Sequence, residues 1–155
     1  MAQRNENPSP RPSQEKLNAI RALQEKQWAE RLKDVAPRFL DPATATPVDD
    51  ITPLPTAYSG NRLLVSHDFA RANADLLERL AEIAERLGWE LDTSHARSDE
   101  VPQHRQELSV ARLRLRADEG TTKPPDAFTL LQLARKELGV EAMRPFGLDH
   151  LVNIC

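Results

Sequence analysis

The chain of 155 residues has little cysteine and few aromatic side chains. It holds one cysteine, Cys155, so no internal disulfide framework can form. Aromatic residues make up 5% of the chain, too few for the stacking platforms on which single-stranded nucleic acid is held. No apolar run approaches the ~18 residues of a membrane span. The first ten residues, MAQRNENPSP, lack the apolar core of a secretory signal, so the expected compartment is the cytoplasm and no membrane partner is expected. Glycine-rich phosphate loops are missing too. Net charge is −3, which provides no global field for drawing in a polyanion. What remains is 39% hydrophobic and 29% charged residues, enough apolar material for one modest core but not two.

Glycine and proline divide the chain unevenly. Eight of the 12 prolines precede Tyr58, and all five glycines fall from Gly60 onward. Within the first part, Leu17, Ile20, Leu23, Trp28, Leu32 and Val35 recur at near-helical spacing, which predicts a helix over about 14–36 with Ser13 as its N-cap and Pro37 as its stop. Residues 37–58 are expected to form a proline-spaced extended linker. This reading makes 1–58 an N-terminal arm and 59–155 the folded domain. Beyond the boundary, Arg62–Ser66 predicts a strand. A helix is expected over Ala70–Leu87, with Leu76, Leu80, Ile83, Ala84 and Leu87 on one face, Asp68 capping its start and Gly88 its end. Trp89, Leu91 and Thr93 alternate as a second strand, and Ser94–Gln106 reads as a loop. Val110–Ala117 alternates as a third strand. A helix over Asp126–Leu138 shows Phe128, Leu131, Ala134, Arg135 and Leu138 along one side and stops at Gly139. Val140–Phe146 reads as a weaker last strand. The order predicts an α+β domain of ferredoxin-like βαββαβ type, an antiparallel sheet with both helices on one face.

The ionisable residues do not assemble into chemistry. His67, His95, His104 and His150 are widely separated with no His-x-x-x-His pair, so neither a metal site nor a cofactor is expected. Ser66, His67 and Asp68 are the residue types of a hydrolytic triad, but consecutive residues cannot stack into nucleophile, base and orienting acid. Asp49-Asp50 and Asp118-Glu119 sit in polar loops, where nothing apolar raises a carboxyl pKa for general-acid work. A non-catalytic binding module is therefore expected.

Two segments suggest how it would bind. Arg112, Arg114 and Arg116 share one face of their strand, which would lie on the open side of the sheet. Alternate arginines can contact RNA phosphates, but no ring is interleaved with them; a solvated face or a protein-binding surface fits better than nucleic acid. The chain ends LDHLVNIC, an apolar extended run. It either completes the sheet as a last strand or adds a strand in a partner's groove. A stand-alone adaptor docking through the Leu17–Val35 helix is the alternative function, and a small RNA-binding module the next.

The runs NRLLVSHDF, ADLLERLAEIAERLGWEL, SVARLRLRADEG and PPDAFTLLQLARKELGVEAMRPFGLDHLV resemble prodomains of subtilisin-family serine proteases, in particular those of divergent actinobacterial type. The resemblance covers about residues 61–152. It implies a folding chaperone and inhibitor whose partner is a subtilisin-like protease domain, in the same precursor or in trans. The open sheet face with Arg112, Arg114 and Arg116 would pack on the protease's surface helices, while Asp118 and Glu119 would cap helix N-termini there. Leu148, Asp149, His150, Leu151, Val152, Asn153, Ile154 and Cys155 would lie in the substrate cleft, with Cys155 at the cleavage site. The absence of a secretory signal points to an intracellular member of that family.

Overall fold

A computed structural model describes residues 13–97 and 109–151 of the chain. The fold divides between Asp34 and Val35 into two units. The described part of the first is a helix, α1 (Gln14–Val35), whose last residue already belongs to the second. It ends where Ala36 takes a positive φ of 44° and Pro37 follows, a residue that cannot donate a further helical bond. The second unit contains a five-stranded antiparallel sheet and several helices, an α+β architecture.

The proline-spaced stretch expected to be a linker belongs to this second unit. Pro37–Leu40 is a strand, β1, paired antiparallel with the first part of β2 (Thr56–Ser66), Leu40 opposite Thr56 and Pro37 opposite Ser59. Leu40 is buried against Tyr58 and Phe128. Prolines are compatible with this because Pro37 opens an edge strand, where the missing N–H breaks no ladder. The connection back to β2 is held from several sides. Asp41 accepts from the Ala43 N–H at 3.0 Å, Val48 and Ile51 form an isolated bridge, and the buried Gln132 amide donates to the Thr46 carbonyl at 2.9 Å. The folded unit thus begins near Val35, and the boundary expected at residue 58 falls inside β2.

β2 is the organising strand. Along one edge it carries β1 and then β4 (Val110–Ala117), with Arg62 opposite Arg114 and Leu64 opposite Arg112. Along the other it carries β5 (Gly147–His150), with Leu64 opposite Gly147 and Leu63 opposite Leu148. β3 (Trp89–Asp92) pairs on the far side of β4, Glu90 opposite Arg116 and Asp92 opposite Arg114. Alternation then sends Leu63, Val65, Leu91, Leu113 and Leu115 to one face, where the helices cover them. Val140–Phe146, expected to be the last strand, instead begins with a short helix, α6 (Val140–Met143), which buries Met143; the strand is the segment after it.

The helix expected over Ala70–Leu87 is two helices, α2 (His67–Ala72) and α3 (Ala74–Arg86). Asn73 separates them with φ −127° and ψ 48°, and its side-chain amide donates to the Phe69 carbonyl at 2.9 Å. Such local side-chain bonds compete with helix propagation. The cap of α2 is Ser66, whose oxygen accepts from the Phe69 N–H at 3.2 Å; Asp68, expected in that role, pairs with Arg71. α3 buries Leu77, Leu80, Ile83 and Ala84, and Gly88 follows with φ 78°, a left-handed conformation in which a Cβ would also strike the Thr121 hydroxyl at 2.6 Å. Ser94–Arg97 forms a short helix, α4, within the stretch expected to be loop. α5 (Ala127–Leu138) starts at Asp126, which caps it, and stops at Gly139. Its buried side is Ala127, Phe128, Leu130, Leu131, Gln132 and Ala134. Leu80, Ile83, Leu130, Leu131 and the sheet residues form one core, in which Trp89 is wholly buried with its indole N–H donating to the Lys123 carbonyl at 3.1 Å.

Candidate functional site

The sheet face turned away from α3 and α5 presents charged side chains in rows that run across the strands. Arg112, Arg114 and Arg116 are all exposed there, at alternate positions of β4 as the period of two requires. Their neighbours differ. In one row Glu90 of β3 stands opposite Arg116, and Asp92, one row along, reaches the Arg116 guanidinium at 4.0 Å. Asp92 is itself held by Ser94, whose hydroxyl and N–H both donate to it, and these bonds, with Arg116 beyond them, keep its carboxyl below the usual carboxylate range. In the next row, Arg62 stands between Arg114 and Asp149, with the Asp149 carboxylate 3.7 Å from its guanidinium. In the third row, Gly147, Leu64 and Arg112 lie side by side, and no acid stands among them.

The residues expected to touch a partner are only partly brought together. Arg112, Arg114 and Arg116 share the open face. Asp118 and Glu119 are exposed in the turn after β4, where the Asp118 N–H donates to the Gly88 carbonyl at 3.0 Å. Leu148 points the other way, packed on both core clusters. Asp149 is engaged by Arg62, and the His150 ring lies 3.0 Å from the Thr56 hydroxyl. The Leu151 N–H donates to the Ala57 carbonyl at 2.9 Å, extending the ladder. Residues 147–151 therefore complete the sheet, the first of the two roles open to the tail. Val152, Asn153, Ile154 and Cys155 lie outside the described residues, as does His104.

A polar cluster lies on the helix side of the sheet, between β1, the loop after it and the start of α5. A cavity of about 100 Å³ is lined there by Leu40, Thr44, Tyr58, Asp126 and Gln132, among others. The Tyr58 hydroxyl donates to Asp126 at 2.7 Å, and the same carboxylate accepts from the Phe128 N–H and the Thr129 hydroxyl. Burial and the Asp126 carboxylate push the Tyr58 phenol well above its ordinary range. Gln132 is satisfied by Thr46 and by Arg135, whose guanidinium donates to it at 2.8 Å. These groups satisfy one another and so read as a structural network. Sequence gave no signal for it, since Tyr58 and Asp126 lie in different elements. The acidic row beside the arginines was readable in principle, since Glu90 and Asp92 alternate just as the arginines do.

Among the described residues no group of three or more His, Cys, Asp or Glu side chains could hold a metal ion. Nor is any described helix long and apolar enough to cross a membrane. No family model, curated protein or solved structure matches the chain.

Proposed function

We propose that this chain is a non-catalytic protein-binding module, the prodomain of a subtilisin-like serine protease, which templates and inhibits its protease. The observation that carries the reading is the sheet face with Arg112, Arg114 and Arg116, which no described element of its own unit covers. Arginine at alternate strand positions is a common constituent of protein interfaces. The order β5-β2-β4-β3, antiparallel throughout, with α3 and α5 packed in one core, supports a ferredoxin-like unit to which β1 is added beside β4. β5 is an outer strand and the ladder still holds its chain at Leu151, so under this reading Val152–Cys155 would run on to the partner. In this reading the cleft-bound part of the tail narrows to Val152–Cys155, because residues 147–151 are committed to the sheet.

The test is functional. A domain with catalytic aspartate, histidine and serine should be encoded with this chain, and the purified chain should slow its hydrolysis of a chromogenic peptide. Removing Val152–Cys155 should abolish inhibition and leave the melting temperature unchanged. Failure of the full chain to inhibit that protease would overturn the reading.

One observation favours a second reading, an adaptor that docks through α1. Leu17, Ile20 and Leu23 are 45%, 51% and 57% exposed on that helix. Under the adaptor reading, deletion of residues 1–34 removes binding to the partner; under the prodomain reading, inhibition survives the deletion.

A further inference from the structure

The three rows of the open face are not equivalent. Arg116 has Glu90 opposite it and Asp92 within 4.0 Å, and Arg62 has Asp149 at 3.7 Å, so both of these rows carry their own compensating acids. The row Gly147–Leu64–Arg112 has none, and among the described residues Arg112 forms no ion pair. Leu64 is half-buried and Val110, two residues back along β4, is 55% exposed, so the Arg112 guanidinium, unpaired among the described residues, sits beside the apolar part of the face. Arginine is among the residues enriched at the energetic centres of interfaces, whereas charges already paired on their own surface contribute little.

Gly147 supplies an independent indication. Glycine weakens a strand, and it suits places where the backbone needs a positive φ, where the strand bulges or bends, where packing leaves no room for a Cβ, or where another chain comes close. The positive φ and the tight packing do not apply, and the irregularity of the β2–β5 ladder lies beyond Leu148, between Tyr58 and Leu63. Gly147 is not among the positive-φ glycines, and a Cβ built on it would meet nothing within 4 Å. Because Leu148 faces the core, Gly147 faces the open side, leaving Leu64 without a side chain on its β5 flank. Leu64 thus has Arg112 on one flank and no side chain on the other.

We infer that the partner centres on this row, bringing its backbone down over Gly147 and Leu64 and a carboxylate over the Arg112 guanidinium. The inference rests on the prodomain reading, and the occupant is an acidic segment of the protease domain's surface. Rows spaced about 6.7 Å apart along β4 make Arg112 and Arg116 separable by substitution.

The experiment titrates the full chain into the protease domain encoded with it, carrying serine-to-alanine at its nucleophile. Arg112→Glu should weaken binding by about tenfold or more, as loss of a central anchor does. Arg116→Glu should stay within about threefold, as rim charges do. Gly147→Val should weaken binding while leaving the melting temperature of the free chain unchanged or higher, since the new side chain points into open space. If the unaltered chain binds but Arg112→Glu and Gly147→Val bind as well as it does, this inference falls and the prodomain reading stands. If the unaltered chain does not bind, the prodomain reading falls and takes the inference with it. A shift of poly-uridine RNA by the unaltered chain that Arg112→Glu abolishes would overturn the inference in favour of a nucleic-acid occupant.

Discussion

Tyr58 is the single tyrosine of the chain, so its phenol can be followed by absorbance without overlap from another. Its folded pKa is raised by burial and by the Asp126 carboxylate, which favours the neutral, hydrogen-donating form. The sign follows directly. A phenol ionises near ~10 in an unfolded chain, so this contribution to stability is fully present below that pH and is lost as pH rises above it. In the folded protein, tyrosinate absorbance should therefore stay low at pH values where the urea-unfolded chain has already titrated. A folded-state titration that matches the unfolded one would show that the phenol is not held by Asp126. Tyr58→Phe should cost about 1–2 kcal/mol, since it leaves one oxygen of a partly buried carboxylate with a bond fewer.

At the scale of elements, the assigned faces make unequal demands. Leu80 of α3 is wholly buried and Leu131 of α5 nearly so, both in the core beneath the sheet. Truncating either to alanine should cost ~2–5 kcal/mol, measured by urea unfolding. Arg114 lies on the other face, and Arg114→Ala should stay within roughly 0.5 kcal/mol. Equal losses at all three would contradict the placement of the strands. The helix faces were legible in part: 3.6-residue periodicity picks out Leu80, Ile83, Ala84, Phe128, Leu131 and Ala134 and the Gly139 stop, whereas the buried Leu77 and Leu130 lie outside the expected faces. The break at Asn73 was not, because it depends on a side chain turning back to the Phe69 carbonyl rather than on any breaker residue. Val140–Phe146 misled in another way: the four residues of α6 within it are too few for periodicity to separate a helical turn from a strand.

For the whole molecule the sharpest prediction concerns where the folded unit starts. A chain beginning at Val35 should keep a single cooperative thermal transition, because the fold divides between Asp34 and Val35. A chain beginning at Gly60 loses β1 and the first four residues of β2, with Leu40 and Tyr58 of the second core cluster, and should lose most of its cooperativity. Equal melts for both would restore a boundary near residue 58. By itself the sequence determined the local alternation of Arg62–Ser66 in β2, of β3 and of β4, part of the apolar sides of α3 and α5, and the arginine stripe on one side of its strand, since these follow from side-chain period alone. Only the tertiary structure decided the rest. It recruited a proline-spaced segment as an edge strand, because an extended chain becomes a strand when a neighbour such as β2 offers its unpaired groups. It committed residues 147–151 to the sheet for the same reason. It also separated the compensated arginines from Arg112, because an arginine's neighbours across a sheet come from strands far away in sequence, and register, not composition, chooses them.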